Sequence, residues 1–243
     1  MLTQITIITV VFNSTNDIEQ TIRSVVNQRN IRQDLNIDYL VVDGSSTDGT
    51  INVIKRSEHH ITKWTSEPDR GIYDAMNKGI ALARESFILF LGAGDEVVSL
   101  PDESLFTDVN TVIFGDVLMG DSLFKSNLSK GLKAGNSLHH QALLIHKSII
   151  PVDRFNLKYR TYADYDLNIR LLRQGMKFLR CDKMISKQLP DGLSSNTYAL
   201  EMVDVIKNNF GFYWATRMLL RCLASQLKQI ILTRSSRIRW NRI

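Results

Sequence analysis

Ser66-Glu67-Pro68-Asp69-Arg70-Gly71-Ile72-Tyr73-Asp74-Ala75-Met76-Asn77-Lys78-Gly79 is the stretch around which this chain of 243 residues is organised. It opens with a proline-anchored turn, and Gly71 lets the backbone come close to whatever lies in front of it. Ala75, Met76, Gly79, Ile80 and Ala83 recur at helical spacing, with Asp74, Asn77 and Lys78 on the other side. A helix beginning near Ile72 aims free N–H groups, together with the Arg70 guanidinium, at a common point. A helix N-terminus of that kind is an anion site. Phe87-Ile88-Leu89-Phe90-Leu91 follows as a buried strand, with Gly92-Ala93-Gly94-Asp95-Glu96 as a flexible turn at its carboxyl end. Open α/β sheets bind ligands at that end of their strands. A carboxylate there, facing an anion site, suits a metal ion bridging to phosphate.

Upstream, Ile5 to Phe12 is a β-branched run apolar on both faces, as in a buried parallel strand. Asn13 to Asn16 offers helix caps, and a helix follows with Ile18, Ile22, Val25 and Val26 inward. Tyr39 to Val42 is the next strand, ending in Asp43-Gly44-Ser45-Ser46-Thr47-Asp48-Gly49-Thr50. A helix carrying Ile51 and Ile54 and a short strand over Ile61 to Trp64 lead into the organising stretch. This alternation implies an α/β fold with a mostly parallel sheet and right-handed crossovers. Downstream, strands are expected over Thr111 to Val117 and Ala142 to Ile145, separated by a loop-rich stretch to Ser137. A helix is expected from Asp164 to Arg173, stopped by Gly175. Two short strands then fall around Phe178-Leu179 and Ile185. No linker divides the first 195 residues.

The tail from Leu200 is expected to be helical. Leu219, Leu220, Leu223, Leu227, Ile230 and Ile231 share one half of a helix, opposite Arg217, Arg221 and Lys228. Phe212 and Trp214 precede it, and Arg234, Arg237, Arg239 and Arg242 follow. Such a helix either lies in an anionic membrane interface or packs on the domain with its basic face in water.

Hydrophobic content of 44% and charge of 23% are those of a globular protein, and the net charge of +5 suits an anionic partner. Two cysteines, Cys181 and Cys222, without metal-type spacing favour a reducing compartment. The first residues carry no basic region or cleavage site, and no uncharged apolar run is long enough to span a bilayer. A cytoplasmic protein is expected, either soluble or peripheral at the inner face of the membrane. The dinucleotide fingerprint and the Walker loop are absent. Asp43 to Asp48 resembles a calcium loop, but Gly49 falls one place late and Ile54 replaces the bidentate Glu. His59-His60 and His139-His140 lack the companions of a zinc site.

What remains is Val11-Phe12-Asn13, Asp43-Gly44-Ser45, the Pro68 to Gly79 segment, Asp95, His140-Gln141, and Asp164-Tyr165-Asp166-Leu167 leading to Arg170. With these motifs the chain resembles the family 2 glycosyltransferases and their GT-A nucleotide-diphospho-sugar transferase fold. The nearest likeness is to bacterial enzymes that build exopolysaccharide, colanic-acid-type or O-antigen units. It covers residues 5 to 195, which implies a GT-A domain over 1–195 and a basic amphipathic extension over 196–243.

The resemblance implies that Val11 and Phe12 border the nucleobase. It implies that Asp43 accepts a hydrogen bond from base or ribose; the alternative is a turn aspartate satisfying its own backbone. Asp69, Arg70, Asp74 and Lys78 would lie near the nucleotide, although Asp74 also suits a helix dipole and Lys78 a plain surface. Asp95 stands where the family's metal-binding acidic motif ends, here after Gly92-Ala93-Gly94 instead of a paired aspartate. One carboxylate would then hold Mg²⁺ or Mn²⁺ with diphosphate and water. Asp164 matches the family's catalytic base, with Ala163 replacing the preceding acid and Asp166 as the fallback. His140, Gln141 and Arg170 would border the acceptor or diphosphate.

The reaction implied is inverting, metal-dependent sugar transfer from a nucleoside diphosphate to a hydroxyl of a lipid-linked glycan, with no nucleic acid involved. Two rivals stand beside it. A nucleotidyltransferase would need a glycine- and basic-rich loop after the first strand. A non-catalytic nucleotide-sugar-binding or membrane-scaffolding protein is compatible with the incomplete acidic pairs.

Overall fold

The computed structural model describes residues 2–189 and 199–225. The expected boundary at 195 and the tail positions Leu227, Lys228, Ile230, Ile231 and Arg234 to Arg242 lie outside the described residues.

The first half alternates as the hydrophobic periods require. Strand β1 (Thr3–Val11) is followed by α1 (Ile18–Ile31), β2 (Leu35–Asp43), α2 (Thr50–Arg56), β3 (Lys63–Ser66), α3 (Ile72–Leu82) and β4 (Phe87–Gly92). The second half contains β5 (Glu96–Ser99), β6 (Thr111–Met119), β7 (Ser122–Phe124), β8 (Leu143–His146), α4 (Ala163–Arg173), β9 (Lys177–Gln188) and α5 (Ala199–Phe210). A further helix, α6, spans 212–225.

Sheet order is β3-β2-β1-β4-β8-β6-β9-β5, with β7 beside β6. The parallel arrangement expected from the alternation holds for β3, β2, β1 and β4. Beyond them the sheet is mixed: β8 runs antiparallel to both β4 and β6, while β6 and β9 are parallel. The register pairs Val11 with Asp43, Asp43 with Ser66 and Val10 with Gly92. The carboxyl ends of four strands therefore lie along one edge, and the loops leaving them share one space.

Alternate residues of the central strands serve two cores, as the period of two demands. Ile8, Val10, Leu40, Val42, Ile88 and Phe90 face α3, α4, α5 and α6. Ile5, Ile7, Tyr39, Val41, Leu89 and Leu91 face α1 and α2. The helix α2 carries Ile51 and Ile54 as expected, and its buried apolar pair is Val53 and Ile54. In α3, Tyr73 joins the expected Ala75, Met76, Gly79 and Ile80. A Cβ on Gly79 would meet Ile8 Cγ2 at 2.5 Å, so glycine is what seats α3 against β1. Gly71 has φ 117° with nothing within 4 Å of a Cβ position. Its positive φ starts α3, and no protein atom fills the space in front of it.

Two expectations need correction. Phe178-Leu179 and Ile185 belong to one 12-residue strand, β9. Arg180, Asp182 and Lys183 interrupt its apolar pattern because most of its outer side chains are exposed. The stretch from Leu118 to Ser137 carries a short hairpin, β6–β7, and Leu132 is buried within it. The α6 helix packs on the domain through Ala215 and Met218, while Phe212, Tyr213, Leu220 and Leu223 remain exposed.

Candidate active site

The loops at the carboxyl edge are laced together before any ligand is considered. Asn13 donates its backbone N–H to Ser46 Oγ at 2.8 Å, and its Oδ1 accepts from Thr47 N at 2.9 Å. Asp48 caps the start of α2 through the Thr50 N–H and hydroxyl, at 3.0 and 2.5 Å. These bonds, with those from Thr15, hold its carboxyl well below the usual range. They also explain why the calcium-like loop is a cap.

Val11 is buried in the α1-side core, whereas Phe12, one residue later, is 61% exposed at the rim. Asp43 is fully buried: it accepts from Ser46 N and Oγ at 3.0 and 2.5 Å and from Ser66 Oγ at 2.6 Å. The Ser66 bond ties the ends of β2 and β3 together, and the two from Ser46 fix the loop that follows β2. Beside them, a Cβ on Gly44 would stand 2.4 Å from Asp69 Oδ2 and 3.3 Å from Phe12 Cδ2. Phe12, Gly44 and Asp69 thus converge on one small surface, an apolar ring edge beside a carboxylate.

The turn leading into α3 is internally bonded, while no side chain caps the helix at Gly71. Asp69 accepts from Gly71 N at 2.8 Å, and Asp74 accepts from Arg70 N at 3.0 Å. Arg70 turns back to Asp74 at 3.3 Å with its side chain largely exposed. Lys78 reaches the Pro68 carbonyl at 2.6 Å and Glu67 at 3.0 Å, clamping the proline turn onto α3. Arg70 and Lys78 are therefore engaged within the segment that carries them.

Asp95 is 5% exposed, and its two oxygens accept from Gly92 N at 2.8 Å and Leu189 N at 3.0 Å. Gln20 and Thr21 of α1 hold the same turn through the Gly94 carbonyl and N–H, at 2.7 and 2.8 Å. Burial pushes the Asp95 carboxyl up; His140, the two backbone N–H groups and the Gln141 side chain pull against that shift.

Asp164 lies in the first turn of α4 and is 7% exposed. Its Oδ1 is 2.7 Å from Tyr165 N and 3.1 Å from Tyr73 Oη. Its Oδ2 is 3.3 Å from His140 Nδ1 and 3.4 Å from Asn136 Nδ2. His140 thus touches Asp164, and its charge and the Gln141 side chain favour the ionised form of Asp95. Burial, then the Asp164 charge, keeps the Tyr73 hydroxyl well above its ordinary value, so it remains a proton donor.

Arg170 is not part of this group. It pairs with Asp166 and Asp153, each at 2.8 Å, and donates to the Arg154 carbonyl. Asp166 also accepts from Asn209 Nδ2 at 2.9 Å. One turn beyond Asp164, buried Asn168 has no hydrogen-bond partner at either amide atom. It lines a small cavity together with His140 and Asp164, otherwise walled by Phe90, Leu143, Ile145, Phe155 and Leu167.

Tyr73 and Asn136 are site residues that the sequence reading did not single out. Tyr73 carried a usable signal, being in phase with Met76 and Ile80 at i+3 and i+7. Asn136 carried none, because only the folded 127–138 segment brings it to α4.

Among the described residues no set of three His, Cys, Asp or Glu gathers to form a metal cage. Asp95 retains lone pairs beyond the two it has committed, and Mg²⁺-type ions are often held by one carboxylate plus substrate phosphates and water. The donor set fits that shared kind of site.

The profile described as Glycosyl transferase family 2 matches residues 6–99. An uncharacterised glycosyltransferase of Mycobacterium tuberculosis is 37% identical over 182 residues, covering 68% of this chain and 68% of that protein. A PGL/p-HBAD biosynthesis glycosyltransferase of Mycobacterium bovis is 32% identical over 147 residues, covering 55% and 57%. This chain thus matches little more than half the length of that relative. Among solved structures, a mannosyltransferase of Pyrobaculum calidifontis, in complex with GDP-Man and Mn²⁺, superposes with a TM-score of 0.61. That match has 14% identity and covers 86% of this chain and 64% of that one. The architecture is the GT-A fold expected from the sequence.

Proposed function

The chain belongs to the family 2 glycosyltransferases, and from that membership we propose that it transfers a sugar from a nucleoside diphosphate donor to a glycan hydroxyl with inversion. The observation that carries this reading is buried Asp164, held by Tyr73, Asn136 and His140 at the start of α4, with buried Asp95 in the turn at the carboxyl end of β4.

The donor base would rest against Phe12, with Asp43 and Asp69 on the ribose side. Arg70 and Asp74 would have to exchange their mutual contact for the nucleotide. A divalent ion, Mg²⁺ or Mn²⁺, would be held by Asp95 together with diphosphate oxygens, and would neutralise charge on the leaving group. Asp164 would accept the proton of the acceptor hydroxyl as that oxygen bonds to the anomeric carbon. The bond to the diphosphate breaks on the opposite face, so no covalent enzyme intermediate forms. Tyr73, Asn136 and His140 fix the Asp164 carboxylate, and such fixed geometry lowers the cost of reaching the transition state.

A lipid-linked acceptor of cell-surface polysaccharide, met at the inner face of the membrane, is supported by α6. Its exposed Phe212, Tyr213, Leu220 and Leu223 lie among Arg217 and Arg221. Among the described residues no helix is long and apolar enough to cross a membrane. A screen of nucleoside diphosphates and their sugars, with and without Mn²⁺, followed by transfer to lipid-linked acceptors, tests the reading. Mn²⁺-dependent binding of one nucleotide class with turnover supports it. Binding without turnover of any donor would make the protein a non-catalytic sugar-nucleotide binder.

A further inference from the structure

A helix normally begins with unpartnered N–H groups; in α4 the N-cap residue Tyr162 makes no side-chain cap bond, and Asp164 takes the Tyr165 N–H. The segment leading into α4 is held from α5. Glu201 Oε1 accepts from the backbone N–H of Thr161 and of Tyr162, each at 2.7 Å, and its Oε2 accepts from Arg160 N at 3.1 Å. One carboxylate thus takes three consecutive N–H groups, ending two residues before Asp164. A negative charge there is also favoured by the α4 dipole.

The same segment is held at its other side. Tyr73 Oη lies 2.7 Å from the Thr161 carbonyl as well as 3.1 Å from Asp164. Along α5, Asp204 binds Lys158 Nζ at 2.5 Å and Tyr159 Oη at 3.2 Å, and Asn209 binds Asp166. Val205 and Ile206 are fully buried between these polar contacts. The approach to Asp164 is therefore fixed between α3 and α5.

We propose that Glu201 is a positioning residue for Asp164. The proposal rests on the transferase reading given above. Charge-assisted bonds to backbone N–H groups are roughly twice as strong as neutral ones. Their loss lets residues 160–162 move, and Asp164 moves with them. Misplacement of a catalytic group by about 1 Å costs up to about a hundredfold in rate.

Glu201→Ala and Glu201→Gln in the full chain test this. Gln keeps one oxygen for Thr161 and Tyr162 but turns an amide toward Arg160. The expected result is a kcat lowered about tenfold or more for Ala and by a smaller factor for Gln. Donor KM and nucleotide affinity stay at parent values, at a temperature where both variants are folded. Amide hydrogen exchange at Arg160, Thr161 and Tyr162 accelerates in the same order. A purely structural role would lower the unfolding temperature and leave kcat in the folded fraction unchanged, and that result overturns the proposal. Unchanged exchange at the three amides in Glu201→Ala overturns it too. Asp164→Asn is measured alongside. If that variant transfers at the parent rate, Asp164 is not the base that Glu201 serves, whereas the amide exchange still reports whether Glu201 holds the segment.

Discussion

Tyr73 Oη lies 3.1 Å from Asp164 Oδ1, so a residue of the organising helix α3 fixes the carboxylate of α4 across 91 positions of sequence. The hydroxyl shares its proton between Asp164 and the Thr161 carbonyl. Tyr73→Phe should reduce transfer about tenfold and stability by about 1–2 kcal/mol, the range for losing a hydrogen bond to a charged or buried acceptor. Steady-state kinetics and a denaturant titration check both numbers. Parent kinetics in Tyr73→Phe would show that Asp164 is oriented by its other partners alone.

Asp95→Asn should abolish divalent-dependent nucleotide binding. It should also cost about 1–3 kcal/mol, because both Asp95 oxygens accept backbone N–H groups and the amide nitrogen must face one of them. Calorimetric titration of nucleotide with and without Mn²⁺ reads the first effect and thermal unfolding the second. Metal-dependent affinity that survives would move the role to Glu96 or remove it.

Asn168 buries an amide without a partner beside a small cavity that is apolar except for His140 and Asp164. The cavity is at the lower limit for holding a water molecule. Asn168→Leu keeps the branch at Cγ, directs its larger methyls to the cavity and removes the unpaired groups, so it should stabilise the fold by about 1–2 kcal/mol. For a chain of this size that raises Tm by about 2–8 °C. A lowered Tm would mean that the amide is satisfied by water.

Leu220 and Leu223 are exposed on α6 and can be changed without disturbing the core. The protein should sediment with vesicles of anionic lipid at low salt, and Leu220→Asp with Leu223→Asp should release it at an unchanged Tm. Removing the chain after Ser195 would be a poorer test, since it deletes buried Val205, Ile206, Ala215 and Met218. Failure of the parent to sediment would leave α6 as a packing element only.

The first half of the fold is legible because its signals are local. β1, β2 and β4 are apolar on both faces, α3 repeats at 3.6 residues, and each strand runs into a polar turn. The second half is harder because its strands are short or partly exposed. β9 alternates charged with apolar residues between β6 and β5, and that looks like two fragments in sequence. The site divides in the same way. Asp95, His140, Gln141 and Asp164 stand out by type and motif, and the structure brings them together. Arg170 stands out equally, yet Asp153 and Asp166 take its guanidinium elsewhere. Glu201 has no local mark, because its three N–H partners lie about forty residues earlier.

The central claim is that Asp164 takes the proton of the acceptor, and Asp164→Asn addresses it most directly. The substitution is nearly isosteric, and its oxygen can still accept from Tyr165 N and Tyr73 Oη. Single-turnover transfer should fall at least about a hundredfold, the contribution typical of a general base, while nucleotide affinity stays at the parent value. Asp166→Asn, measured in parallel, should lose stability through Arg170 and Asn209 and keep most of its transfer. Transfer by Asp164→Asn at close to the parent rate would contradict the account.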